Sequence, residues 1–349
     1  YYDHEEGYTP EWPGMSDFRG QIVHPQNWPE DLDYKDKRVV VIGSGATAAT
    51  LIPAMAEDTA HITMLQRSPT FFAAMPSKHP LAEQLRALDI PDEWFHEIMR
   101  RTHIQESGAI TKLAETDPDE ARKMLIEGIR PLLPDGFDVE RHFNPSYRPW
   151  QQRLASVPDG DLFAAIQSGK ASVVTDKIAK FTAEGVELES GDVLEADIII
   201  TATGFNLNVF GGTSFSLDGA PVNFPDHITY RGMMVSGIPN MVYMFGYLRS
   251  SWTLRSDFVG DFVGALLSHM HEQQYSTVIP TLRPADADMK RQPWTQSDNF
   301  NAGYMLRRQH LLFGQGDREP WLHLREYADE CDTLGQLQLE DNALVFNRS

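Results

Sequence analysis

The run Arg38-Val39-Val40-Val41-Ile42, followed directly by Gly43-Ser44-Gly45-Ala46-Thr47-Ala48, restricts the fold more than any other stretch of the chain. A short continuous apolar run suits a strand buried on both faces, as in a parallel sheet. Glycines immediately after it permit a tight turn, and the sequence from Ala46 to about Glu57 favours a helix. A second strand-like run, His61-Ile62-Thr63-Met64-Leu65, comes next. Strand, turn, helix and strand in that order make a βαβ beginning, and the expected class is α/β with a Rossmann-like domain.

The turn has the spacing G-x-G-x-x-A. Gly43 allows the sharp reversal, Gly45 lets a pyrophosphate approach the backbone, and the small Ala48 lets helix and strand pack closely. Free amides and the positive end of the helix dipole at Ser44, Ala46 and Thr47 would then meet phosphate oxygens. The alternative is a purely structural glycine turn. The end of the second strand bears on which dinucleotide is expected. A site for NADH would carry Asp or Glu there to bind the ribose hydroxyls. This strand ends Gln66-Arg67-Ser68, with a guanidinium for a 2′-phosphate and a hydroxyl beside it. The reading is NADPH. The chain carries 50 acidic against 30 basic residues, a formal charge of −20, so an anionic cofactor needs such a local cation. The same field disfavours nucleic acid and anionic lipid as main partners.

Beyond the βαβ start, about 80–133 reads as a helical insertion. Asp117 before Pro118 supplies an N-cap and first-turn pair, and Ala121, Met124, Leu125 and Ile129 share one face. A short helix from Asp161 to about Gln167 and strands around Ala171–Thr175, Val186–Leu188 and Asp197–Ile200 follow. A long helix is expected from Trp252 to about Met270, after Pro239–Tyr247, which reads as a strand and turn. Residues 1–16 read as a connecting segment. The expected organisation is a linker over 1–36, a nucleotide-binding domain over 37–200 and a further domain over 201–349.

Just before the first buried strand stands Phe18-Arg19-Gly20-Gln21-Ile22-Val23-His24-Pro25-Gln26-Asn27-Trp28-Pro29. By physics alone this is a loop with a buried aromatic and one titratable histidine. Its spacing, F-x-G-x-x-x-H-x-x-x-W-P, resembles the fingerprint of class B flavin monooxygenases, and the closing Trp28-Pro29 favours the Baeyer–Villiger branch. The resemblance covers nearly the whole chain, with Val39–Ala49, Met64–Pro69, Trp150–Asp161 and Gly232–Asn240 among the similar stretches. It implies a two-dinucleotide plan with FAD and NADPH, and oxygen insertion into ketones or transfer to sulfur or nitrogen. It makes Thr203 and Gly204, within Ala202-Thr203-Gly204-Phe205, a linker segment between the NADPH and FAD domains and adds them to the expected cofactor-binding residues. It makes Arg153 the arginine that steadies the anionic flavin peroxide, a role that suits a permanent cation in a dry pocket. It also makes His24 a catalytic candidate, with Phe18, Gly20 and Trp28 as the other fingerprint positions.

The family pattern carries an earlier G-x-G-x-x-G unit for FAD, and this sequence shows one such turn rather than two. The resemblance therefore implies that the first ~140 residues, about one domain by size, lie outside this sequence, with 201–349 as the C-terminal part of the FAD domain. That missing segment becomes an expected partner, alongside a ketone, sulfide or thioamide substrate. The rival expectation is an NADPH-binding fragment without turnover of its own. A flavin disulfide reductase shares the plan but needs a redox cysteine pair, and Cys331 is the only cysteine. No metal site is expected: C-x-x-C and H-E-x-x-H are absent, and His269 and His271 lie two apart on a helix. No apolar run reaches membrane-spanning length, and a cytoplasmic setting is expected.

Overall fold

The computed structural model describes residues 1–323, 326–334, 339 and 341–348. The chain divides into two units, one formed by Tyr2–Asn206 and the other by Tyr1 with Leu207–Ser349.

The first unit is built on a five-stranded sheet. In chain order its relevant elements are β1 (Tyr2–Gly7), β2 (Gln21–Val23), β3 (Arg38–Ile42), α1 (Ala46–Ala56), β4 (His61–Gln66), β5 (Phe72–Met75), α2 (Pro80–Ala87), α3 (Asp92–Thr116) and α4 (Pro118–Ile129). After these come α5 (Val139–Phe143), β6 (Ala155–Pro158), α6 (Asp161–Gln167), β7 (Ala171–Thr175), β8 (Ile178–Thr182), β9 (Gly185–Leu188), β10 (Val193–Glu195) and β11 (Ile198–Thr201). The sheet order is β2-β11-β3-β4-β7, and every pair is parallel.

Both faces of the sheet are covered, and the pleat shows it residue by residue. Val39 and Val41 of β3, Ile62 and Met64 of β4, and Ile198 and Ile200 of β11 join one core with Ile52 of α1 and Phe163 of α6. The alternate residues Val40, Ile42, Leu65 and Ile199 join another, with Phe181 and Val186 of the antiparallel meander β8-β9-β10. Successive side chains of a strand point to opposite faces, so a strand covered on both sides needs no polar residue between its apolar ones. Each fully buried aliphatic side chain contributes about 1.5–3 kcal/mol.

The helical insertion begins at α2, and Asp117 caps α4 by accepting the Glu120 amide at 3.1 Å. Two expectations about irregular segments need correction. Residues 1–16 contain the strand β1, and the fingerprint segment is not all loop, because Gln21–Val23 pairs in parallel with β11 as an edge strand. β2 is only three residues long with a single fully buried side chain, too short for periodicity to reveal.

In the second unit the long helix α7 runs Trp252–Glu272 and buries Leu254, Val259, Phe262 and Leu266. It also buries Arg255 completely, paired with the equally buried Glu330 at 2.8 Å. The Arg255 guanidinium donates to the carbonyls of Arg231, Gly232 and Phe245 at 2.8–3.0 Å, and Tyr247 donates to Glu330. Pro239–Tyr247 is correspondingly not a strand. Its one ladder contact is a bridge from Val242 to Met234, and the Phe245 carbonyl is taken by Arg255 instead of by a neighbouring strand.

Candidate functional site

The candidate residues of the first unit gather at the C-terminal edge of the parallel sheet, where ligands of open α/β sheets bind. Moving along the edge from β2 to β4, the chain presents His24, then Thr203 and Gly204 after β11, then Gly43–Ala48 after β3, then Arg67 and Ser68 after β4.

The turn after β3 follows from its two glycines in different ways. Gly43 has φ +130°, and a Cβ there would stand 2.2 Å from the Ala202 carbonyl oxygen, so only glycine fits between β3 and β11. Its amide donates to Leu65 O at 2.8 Å, which ties the turn to β4. Gly45 has ordinary extended backbone, and a Cβ there would meet nothing within 4 Å. It is the N-cap of α1 and caps with no side chain, while Ala46 behind it is exposed. The first amides of α1 therefore face open space, the arrangement that accepts a phosphate group. Ala48 is fully buried against the sheet, and Thr47 is half-buried. The Ser44 hydroxyl is 2.8 Å from that of Thr70, which sequence reasoning missed. A threonine four residues beyond the end of a strand gives no signal of its own.

Arg67 and Ser68 are both exposed at the end of β4, and Arg67 makes no ion pair among the described residues. The buried Gln66 before them turns inward, donating to the His142 carbonyl at 2.6 Å and the Thr175 hydroxyl at 2.8 Å. Its inward direction leaves Arg67, one residue on, at the surface. Burial lowers the pKa of the neighbouring His142 imidazole, with the Arg141 cation acting in the same direction.

His24 packs where β2 ends. Its Nδ1 accepts the Gln26 amide at 3.2 Å, capping a short turn that begins at Pro25. The ring lies so close to Gly7 that a Cβ there would come within 1.9 Å of it. Its Nε2 is buried and no acceptor meets hydrogen-bond geometry, although the Gly204 carbonyl acts on it electrostatically. That carbonyl also accepts the Tyr8 amide at 3.0 Å. Burial lowers the His24 pKa, and Gly204 opposes the shift more weakly. A polar cleft of about 280 Å³ opens beside the ring, with Glu6, Tyr8, Thr9 and Asn27 on its walls. The Thr203 hydroxyl donates to the Tyr8 carbonyl, so the segment after β11 and the segment after β1 are fastened together here.

Phe18 and Gly20 lie elsewhere. A Cβ on Gly20 would stand 2.2 Å from the Asp197 carbonyl and 2.6 Å from the Phe18 ring, at the start of β2 and β11. Phe18 is buried against Phe181 of the meander. These two anchor the edge strand at the end away from the glycine turn. Trp28 is half-buried on the helix-side core, edge-on to Tyr34 at 6.5 Å.

Arg153 is exposed and precedes β6, which pairs in parallel with β5 through Phe72↔Ala155. Extending that register by two residues aligns Arg153 with Thr70, the partner of Ser44 in the glycine turn. Tyr147 lies in the same region, ring edge to Phe71 at 5.6 Å, and burial raises its phenol pKa. Another hollow, of about 550 Å³, belongs to the second unit and is lined by none of the candidate site residues named from the sequence. Its two prominent charges, Arg283 and Asp286, are already paired at 2.9 Å.

No helix among the described residues is long and apolar enough to cross a membrane. The profile of the family described as flavin-binding monooxygenase-like matches residues 6–79. The chain is 45% identical over 347 residues to the FAD-containing monooxygenase EthA of Mycobacterium tuberculosis, covering 99% of this chain and 70% of that protein. Its fold is similar to an oxidised steroid monooxygenase bound to NADP, with TM-score 0.68, 19% identity, and coverage of 98% of this chain and 73% of that one. It is similar also to the cyclohexanone monooxygenase of a Rhodococcus species bound to NADP+, with TM-score 0.63, 17% identity, and coverage of 98% and 73%. An open parallel sheet with a bare glycine turn at its C-terminal edge, carried by a sequence this close to EthA along nearly its whole length, places the chain in the family of FAD-containing flavin monooxygenases.

Proposed function

We propose that this monooxygenase takes its reducing equivalents from NADPH and inserts one oxygen atom of O2 into ketones, giving esters or lactones. Oxygenation of sulfides, thioamides or amines is a second capacity of the same chemistry. Per turnover, NADPH, a proton, O2 and ketone become NADP+, water and ester. The observation that carries the reading is the open space at Gly45 together with the exposed Arg67 at the end of the neighbouring strand, which makes no ion pair among the described residues. The residues fit NADPH: uncapped helix amides for the pyrophosphate, a guanidinium and a hydroxyl for the 2′-phosphate, and no carboxylate at the strand end to repel it. Among the described residues there is no second turn of this kind, so no residue of this chain is assigned to the FAD pyrophosphate. FAD supplies the activation of oxygen when bound.

Within this proposal, Gly43–Ala48 hold the dinucleotide and Arg67 with Ser68 orient its ribose. Thr203 and Gly204 form the border of the site. His24, neutral near pH 7 because of burial, keeps that border in place without adding charge. Arg153, exposed just before β6, would offer a fixed cation to the anionic oxygen chemistry that bound FAD supplies, with little reorganisation. The fingerprint ending Trp28-Pro29 and the likeness to steroid and cyclohexanone monooxygenases support ketones as the substrate class.

The test is turnover of the full-length flavoprotein with NADPH, a panel of ketones and sulfides, and isotopically labelled O2. One labelled oxygen in an ester product is expected. Arg153→Ala should cut the oxygenation rate by about 10²–10³ while NADPH binding and thermal stability persist, and Arg153→Lys should recover part of it. Oxygenated product absent from every substrate would overturn the reaction class. Unchanged product per NADPH in Arg153→Ala would overturn the role of that residue.

A further inference from the structure

The geometry points to a binding site for one divalent transition-metal ion of the zinc class in the helical insertion, formed by His79, His103 and Glu106. His79 immediately precedes α2, and His103 and Glu106 are three apart on α3, hence on one face of that helix. One ligand atom from each of the three lies within 4.8 Å of the others. The Nε2 of His79 is 3.3 Å from both carboxylate oxygens of Glu106. The Nδ1 of His103 is 3.9 Å from the nearer oxygen, and the two imidazoles meet edge-on at 5.2 Å.

Zinc takes nitrogen and oxygen ligands at about 2.0–2.2 Å, and a tetrahedron of those bonds has edges of about 3.4 Å. His79 and Glu106 already stand at that separation. His103 stands about 0.5 Å beyond that edge from Glu106, and rotamer freedom lets it close on both partners, since its side chain is 60% exposed and that of Glu106 53%. Two imidazoles and one carboxylate suit Zn2+, Co2+ or Ni2+, and disfavour Mg2+ and Ca2+, which require oxygen ligands. The remaining coordination position faces solvent and would carry water.

The alternative is a plain histidine–carboxylate hydrogen bond, and the proton positions separate the two. The His79 Nδ1 accepts the Leu81 amide at 3.2 Å as the N-cap of α2. In the metal-free chain the ring proton is therefore on Nε2 and is donated to Glu106. Ligation through Nε2 requires that proton to leave. It is replaced by one from solvent on Nδ1, which can then no longer accept from Leu81. Metal binding thus exchanges the cap of α2 for a cross-link between the start of α2 and α3.

Full-length untagged protein, stripped with a chelator, is titrated with Co2+ and then Zn2+. One equivalent of Co2+ should develop the visible bands of tetrahedral coordination, Zn2+ should bleach them, and Mg2+ should do neither. Amide exchange at Leu81 should accelerate when metal is added, which a simple ion pair would not cause. His103→Ala and Glu106→Gln, both at exposed positions, should keep the metal-free melting temperature and weaken Co2+ binding at least about tenfold each. Absence of stoichiometric Co2+ binding by the parent protein, or parental affinity in either variant, would overturn the assignment.

Discussion

Two glycine-to-alanine substitutions, two positions apart in sequence, separate the fold of the nucleotide turn from its binding role. At Gly45 the backbone is extended and a methyl group would meet no protein atom within 4 Å. Gly45→Ala costs the fold only the difference between glycine and alanine as an N-cap, about 1 kcal/mol or less. In a unit of this size that is a shift of about 2–4 °C at most. The same methyl stands in the space where phosphate oxygens would approach the α1 amides. Loss of one charged hydrogen bond costs about 1.5–3 kcal/mol, so the NADPH Kd should rise about ten- to 150-fold. Gly43→Ala reverses the pattern. Its φ of +130° and the 2.2 Å approach to Ala202 O force β3 and β11 apart locally, for a loss of about 1–3 kcal/mol from backbone strain before any displacement is counted. The assay is NADPH titration by calorimetry on the full-length flavoprotein, with thermal unfolding in parallel. A Gly45→Ala protein that binds NADPH within twofold of the parent would refute the assignment of this turn to the pyrophosphate.

The remaining expectations rest on single side chains. Arg67→Ala should raise the NADPH KM about ten- to hundredfold and leave that for NADH nearly unchanged, and equal use of both nucleotides by the parent enzyme would remove the basis for it. His24 has a folded pKa below its unfolded value, so protons favour the unfolded chain. Stability contributed by His24 is complete above about pH 6.5 and declines as pH falls toward the folded pKa; His24→Gln should flatten that limb of the stability profile, and an unaltered profile would count against it. Glu330→Ala leaves Arg255 charged in a fully buried site and should destabilise by about 3–5 kcal/mol, whereas a change below about 1 kcal/mol in denaturant unfolding would mean that solvent reaches the pair.

The parts of the molecule legible in sequence are those where one physical requirement acts on consecutive residues. β3, β4 and β11 announce themselves because two-sided burial favours runs of consecutive apolar residues. The Gly43 turn is legible because φ +130° and a backbone oxygen at 2.2 Å exclude every other residue type. Asp117 is legible because a cap needs a particular side chain at one position. What escaped depends on residues far apart in the chain. β2 is a strand only because β11 lies beside it, 177 positions later at Ile22↔Ile199. Arg255 looks like a break in the apolar stripe of α7 until Glu330 and three carbonyls are brought to it. Thr70 joins the candidate site through its hydroxyl contact with Ser44, and Tyr147 through its ring contact with Phe71, neither of which a local pattern encodes.

The position of β11 in the sheet bears on how the chain is made. It is the last sheet strand to leave the ribosome, yet it occupies the slot between β2 and β3, which do not touch each other. Until Ile198 emerges, β2 has no hydrogen-bonding neighbour and β3 presents a bare edge, with Val39 to Ile42 open on that side. The nascent chain must carry this sticky edge through synthesis of the entire helical insertion and the meander, at about 5–20 residues per second. Closure by a strand so distant in sequence makes folding slow relative to a sheet of adjacent strands. The bare edge is closed only when Ile198–Thr201 enters the gap and joins β2 to the rest of the sheet.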